Sequence, residues 1–283
     1  MNHIPFRIDN IFAPKSLNET TVLLERYGDK ARLVAAGTDL ILRPDTKTRY
    51  LVDMSRIGLN YVKTDGRFLI LGCMSTITDI LTSTLFDQQP NTMMKTAALL
   101  FGCRQIRNRA TIGGNICSAV PSADMPIPLI ALDAKVEIVG TEGKRTTHLG
   151  DFIKDYRQTD LRKGEFLKEV QIPLSETKSK GAFRKLSRTA VDIALVSCAV
   201  RLDLENFEFR IVLGAVGPTP IRARKAEDFL KQQREINEAE IAKGARLASE
   251  EAKPITDLRA SAEYRKAMSE VLVSRALREV LES

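Results

Sequence analysis

Residues 110–134 read ATIGGNICSAVPSADMPIPLIALDA, and the halves of this stretch differ in character. The first half, with Thr111, Gly113, Gly114 and Asn115, is turn chemistry. The second, from Asp124 to Leu132, is apolar enough for a buried helix. Glycine removes the Cβ, so several backbone N–H groups can converge, and a concave set of such donors holds an anion without any lysine. A stretch of the same kind lies far upstream, where Ala35, Ala36, Gly37, Thr38, Asp39 and Leu40 close an apolar run over 31–36 that predicts a short buried strand. Taken singly, each turn is ordinary punctuation at a strand end. Neither matches GxGxxG or the Walker lysine pattern.

Outward from these turns the chain alternates irregularly between strand and helix signals, which predicts α+β rather than a regular parallel α/β sheet. Ser16 and Glu19 have capping-box spacing ahead of Val22, Leu23 and Leu24, and Gly28 is placed to stop that helix. Strands are expected at 51–54, 68–71, 135–139 and 167–172, and helices from about 76, over 92–102 and over 124–132. The polar run 172–181, IPLSETKSKG, is the linker candidate. Beyond it come strand-like runs at 193–202 and 207–213, then charged helices at 223–233, 238–252 with Asn237 as N-cap, and 263–281.

Length favours more than one packed unit in 283 residues, and 43% hydrophobic with 28% charged residues predicts a folded protein. The start, MNHIPFRIDNIFAPKS, lacks the layout of a signal peptide, and no apolar run approaches membrane length. A cytoplasmic protein without a membrane span is the expectation. Cys73, Cys103, Cys117 and Cys198 are scattered, and only His3 and His148 accompany them, so they read as small buried residues and no metal site is expected. A net charge of +7 raises the question of nucleic acid. Acidic residues are interspersed, aromatics are 6% and Trp is absent, so no stacking platform is evident, and the cluster Arg104, Arg107 and Arg109 reads as surface.

The order TIGGN, a Ser/Ala/Pro turn, Ala-Asp, then an apolar helix ending in Leu-Asp-Ala resembles the signature of the FAD-binding subunits of the molybdenum hydroxylases, of the xanthine dehydrogenase and carbon monoxide dehydrogenase type. Residues 12–24, 35–41, 105–108, 161–173, 185–196 and 213–222 resemble the same family in the same order, so the likeness covers nearly the whole chain. It implies a vanillyl-alcohol-oxidase type FAD-binding domain over 1–177, with α+β subdomains at about 1–58 and 59–177. It also implies a carbon monoxide dehydrogenase flavoprotein C-terminal-like domain over 178–283, a three-stranded sheet with a helical bundle. The implied role is electron transfer. Electrons would pass from a molybdopterin-binding large subunit, through the [2Fe–2S] clusters of an iron–sulfur subunit, to FAD and on to NAD+, oxygen or another acceptor. No residue of this chain need be catalytic.

Carried over by position, Ala35, Ala36, Gly37, Thr38, Asp39 and Leu40 would hold the FAD diphosphate together with Thr111, Gly113, Gly114 and Asn115, through amides and the hydroxyls of Thr38 and Thr111. Ser118 and Ser122 would add hydroxyls, and Asp124 would accept from a ribose hydroxyl, its alternative being an N-cap of the next helix. Leu167 would touch the flavin side or be plain strand core. Lys185 and Ile193 would approach the isoalloxazine, Lys185 alternatively being a solvated edge charge. The flavin is expected to be non-covalent, since neither histidine lies in a loop that would meet the ring. Ala36 replaces one of the two glycines that this loop commonly carries in the family, and Thr189 and Val191 stand where basic or small residues are common. Rival readings are a stand-alone FAD-dependent reductase, a flavin-free scaffold subunit and a nucleic-acid binder.

Overall fold

The computed structural model describes residues 7–43, 46–174, 177–233 and 235–282. His3 and part of the expected linker, Ser175 and Glu176, lie outside them. Strand β1 (Asn10–Phe12), helix α1 (Leu17–Tyr27), β2 (Ala31–Val34) and β3 (Tyr50–Asp53) make a parallel sheet of order β1-β3-β2. Ser16 caps α1 by accepting from the Glu19 amide, but Glu19 reaches back to the Lys15 amide rather than to Ser16. Gly28 stops the helix at φ +49°, a conformation glycine takes without a Cβ penalty.

An antiparallel sheet of order β4-β5-β10-β6-β7 follows, built from β4 (Val62–Thr64), β5 (Phe68–Gly72), β6 (Lys135–Gly140), β7 (Gly143–His148) and β10 (Phe166–Pro173). Between β5 and β6 run α2 (Ile77–Thr82), α3 (Thr92–Leu99), α4 (Arg104–Arg107), α5 (Ile112–Cys117) and α6 (Pro126–Ala131). After β7 come α7 (Leu149–Phe152) and a small ribbon of β8 (Ile153–Asp155) and β9 (Gln158–Thr159). The sequence predicts a turn where α5 stands. Thr111 supplies what makes it a helix, an extended N-cap whose Oγ1 accepts from the Gly114 amide at 3.1 Å. Helix α6 is shorter than the expected 124–132, because Asp124 lies outside it and is engaged elsewhere.

The C-terminal sheet has three long strands, β11 (Ser179–Leu186), β12 (Val196–Asp203) and β13 (Glu208–Gly214), and a two-residue edge strand, β14 (Ile221–Arg222), which the sequence reading lacks. Strand β11 begins inside the stretch read as linker. Helices α8 (Arg224–Lys231), α9 (Glu238–Glu251) and α10 (Ala262–Glu282) cover one face of this sheet. Side chains alternate across a strand, so Ala182, Val196, Cys198, Val200 and Leu202 join the core under those helices. Phe183, Ala199 and Val212 point the other way, into the core of the FAD-type unit. At Gly181 and Gly214 a Cβ would collide with Met93 and with Ile127, so α3 and α6 rest directly on the sheet. Both faces are therefore buried, which is why β12 reads as a continuous apolar run.

This packing predicts that the two units unfold together. Phe183 is 1% exposed, and Phe183→Ala should lower stability by about 3–5 kcal/mol. Urea unfolding should keep a single transition; an unchanged midpoint would show that the units are not coupled through this side chain.

Candidate functional site

The loop after β2 turns at Gly37, whose φ is +71°, and a Cβ there would lie 2.6 Å from Ile41 Cδ1. The Ile41 amide closes the turn on Gly37 O at 3.1 Å. Among the described residues, the amides of Gly37, Thr38, Asp39 and Leu40 find no acceptor within the chain. All four residues are half-buried. A run of free donors on a glycine turn is an anion-binding geometry. Ala36 keeps a negative φ, so a residue with a Cβ sits there without backbone strain.

The second turn behaves differently. Four of its amides are committed: Ile112 to Ser75 O at 2.9 Å, Gly113 to Cys73 O at 2.9 Å, Gly114 to Thr111 Oγ1 at 3.1 Å, and Asn115 to Thr111 O at 3.0 Å. Thr111 Oγ1 is likewise occupied as the cap. The first turn thus presents a run of free amides, while those of Ile112 to Asn115 are taken up within the chain. A Cβ on Gly113 would lie 2.6 Å from Cys73 Cβ, so the glycine's role there is close packing of α5 on the end of β5. A Cβ on Gly114 would lie 3.9 Å from Ala35 Cβ, which puts the turns, remote in sequence, side by side.

Around this junction, Ser118 Oγ donates to Gly114 O at 2.9 Å and lies 3.3 Å from Asp39 Oδ2. Asn115 Oδ1 accepts from the Met125 amide at 3.2 Å and so positions the neighbouring Asp124. The hydroxyls of Thr38 and Ser122 have no partner among the described residues. Leu167 is 3% exposed at a bulge between β10 and β6. Ile193 is 46% exposed on the loop between β11 and β12, and the structure records no contact from it to the other candidates.

Asp124 does not cap α6; Met125 holds that position without a side-chain bond. Instead its Oδ2 accepts from Lys185 Nζ at 2.8 Å, and Lys185 also donates to Leu100 O at 3.0 Å. Lys185 is no solvated edge charge: its side chain is 2% exposed. Asp124 Oδ1 is buried with no hydrogen-bond partner. Burial pushes the Asp124 carboxyl up to about 6, against the downward pull of the Lys185 ammonium. Burial also pushes the Cys117 thiol up to about 12 and the Cys73 thiol higher, so both are inert under the second turn.

Arg157 is a member of this cluster that the sequence reading lacks. It sits between β8 and β9 at φ +58°, a left-handed conformation that costs a residue with a Cβ about 1–2 kcal/mol. Its amide donates to Ala119 O at 2.8 Å, and its guanidinium reaches Asp39 Oδ2 at 3.3 Å. Nothing in Tyr156-Arg157 announces a left-handed turn in sequence. Among the described residues no cluster of His, Cys, Asp and Glu could hold a metal ion, and no helix is long and apolar enough to cross a membrane.

The chain is similar to known proteins in sequence and in fold. Residues 5–175 match the family described as FAD binding domain in molybdopterin dehydrogenase, and residues 181–280 match the CO dehydrogenase flavoprotein C-terminal domain. The glyceraldehyde dehydrogenase medium chain of Sulfolobus acidocaldarius is 32% identical, over 94% of this chain and 96% of its own. The carbon monoxide dehydrogenase medium chain of Hydrogenophaga pseudoflava is 32% identical, over 94% of each. A solved carbon monoxide dehydrogenase from Hydrogenophaga pseudoflava superposes with a TM-score of 0.93 and 31% identity, over 99% of each chain. With both units matched by family models and by relatives over nearly the whole chain, the chain belongs to the FAD-binding subunits of the molybdenum hydroxylases, components of oxidoreductase complexes whose cofactor is FAD.

Proposed function

We propose that this chain is the electron-transferring flavoprotein of a molybdenum hydroxylase complex. It would take electrons from the [2Fe–2S] clusters of an iron–sulfur subunit, themselves fed by a molybdopterin-binding large subunit, and pass them to NAD+, oxygen or another acceptor. When bound, FAD supplies redox chemistry that joins one-electron iron–sulfur clusters to such acceptors. The protein contributes binding and electrostatics. The division into 1–177 and 178–283, with a subdivision near residue 58, is supported by the membership of the sheets.

The observation that carries this reading is the buried pair Asp124–Lys185 with its orphaned Asp124 Oδ1. A buried acceptor without a donor is costly, about 1–3 kcal/mol, and a ligand hydroxyl relieves it. The free amides from Gly37 to Leu40 suit a diphosphate, with the Thr38 hydroxyl beside them. Ala35, Ala36, Gly113 and Gly114 shape the floor by lacking bulk, while Thr111 and Asn115 hold that floor in place. In this reading Ser118, bonded to Asp39, and Ser122 would border it, the buried Leu167 would back it, and Lys185 would bring a cation from the C-terminal sheet that suits a reduced, anionic flavin. Ile193, exposed on the loop between β11 and β12, would reach the cofactor only when it is bound.

Three outcomes are expected. The purified full chain should bind FAD, and the flavin should stay in solution when denatured protein is precipitated; Gly37→Ala, which strains the turn by about 1–2 kcal/mol while the chain stays folded, should weaken binding at least about tenfold, roughly 1.4 kcal/mol. A tagged chain expressed in its own organism should co-purify with molybdopterin-binding and [2Fe–2S] subunits, and recovery of a lone chain would sink the complex. The third concerns pH. Because Asp124 binds its proton more tightly folded than unfolded, its contribution to apo-chain stability is full below about 4 and is lost as pH rises to about 6. The stability difference between wild type and Asp124→Asn should therefore move against wild type across that window and level off above it; a flat difference in urea titrations would exclude a raised carboxyl.

A further inference from the structure

Asp39 poses a problem for a loop meant to hold a diphosphate. Its carboxylate sits among the free amides of Gly37, Thr38 and Leu40, and a negative charge there opposes the anion the amides attract. The structure answers with cations and a hydroxyl. Arg157 Nη1 and Nη2 lie 3.3 and 3.4 Å from Asp39 Oδ2, Arg43 Nε lies 3.4 Å from Oδ1, and Ser118 Oγ lies 3.3 Å from Oδ2. Arg43 is a local, i,i+4 partner with its side chain 55% exposed. Arg157 comes from the far side of the cleft, from the ribbon after α7, and is held more firmly. Its amide is fixed to Ala119 O at 2.8 Å, its Nε donates to Tyr156 Oη at 3.3 Å, and its side chain is 32% exposed. Both residues of that backbone bond have positive φ, +58° at Arg157 and +44° at Ala119. Strain in paired non-glycine residues persists only where surrounding contacts hold it, and it gathers at functional sites. Here it aims one guanidinium at one carboxylate.

We propose that Arg157 is a positioning residue for the cofactor's diphosphate: by pairing with Asp39 across the cleft it cancels the loop's own negative charge and fixes the loop with its amides free. This rests on the FAD reading above and adds to it a residue that acts through Asp39 rather than on the cofactor. Arg157 thus sets affinity and contributes nothing to the redox step.

The test uses the full-length chain stripped of flavin, with FAD and ADP as probes and affinity read from flavin fluorescence and calorimetry. Arg157→Asn is the informative variant, because asparagine tolerates the left-handed conformation and keeps the ribbon intact. Its urea midpoint should match wild type while FAD and ADP both bind about tenfold more weakly. Asp39→Asn, which removes the opposing charge along with the pairing, should bind more tightly than Arg157→Asn, and the double variant Arg157→Asn with Asp39→Asn should bind within about threefold of Asp39→Asn alone. Wild-type affinity in Arg157→Asn overturns the proposal. So does a double variant as weak as Arg157→Asn, which would place the guanidinium directly on the phosphates, and so does a loss seen with FAD but not with ADP. A wild-type chain that binds neither probe overturns the FAD reading itself, an outcome distinct from each of the others.

Discussion

One buried contact, Lys185 to Asp124, joins the C-terminal sheet to the cofactor-binding unit. Placing an ion pair out of water costs more than its attraction returns unless geometry and further hydrogen bonds make up the difference, and removing one partner strands a charge at about 3–5 kcal/mol. Nature could have packed two aliphatic side chains here. That the pair stands instead, with Lys185 also bonded to Leu100 O and one Asp124 oxygen left over, ties the relative placement of the units to the polarity of the cleft between them. Phe183, on the same face of β11 as Lys185, supplies the apolar half of the same joint.

The glycine turns divide the labour. Gly113 admits α5 into contact with Cys73, and Gly114 brings α5 against Ala35, so the second turn builds a platform from internally satisfied backbone. Gly37 does the opposite. Its left-handed backbone opens a loop whose donors face no acceptor among the described residues. The same residue type serves packing in one place and exposure of donors in the other, and only tertiary neighbours distinguish them.

Strong periodicity made much of the fold legible. The helices expected over 223–233, 238–252 and 263–281 are α8, α9 and α10 within a residue or two, and Asn237 caps α9 with Glu240 reciprocating. The short strands β1, β4 and β14 and the polar edge strand β7 escaped, because a run of two or three residues, or a solvated edge such as GKRTTH, carries too little apolar pattern. The candidate residues were legible through resemblance, but their physical states were not. Asp124 as half of an ion pair, Lys185 as a buried cation and the committed amides of Ile112 and Gly113 all depend on partners distant in sequence. Arg157 had no signal at all, since its left-handed turn is imposed by Ala119 and Asp39.

The completed hydrogen bonding of the α5 platform has a consequence for the order of assembly. A floor that satisfies itself before any ligand arrives does not require the cofactor as a template for folding. Formation of this platform and binding of the nucleotide are therefore separable steps.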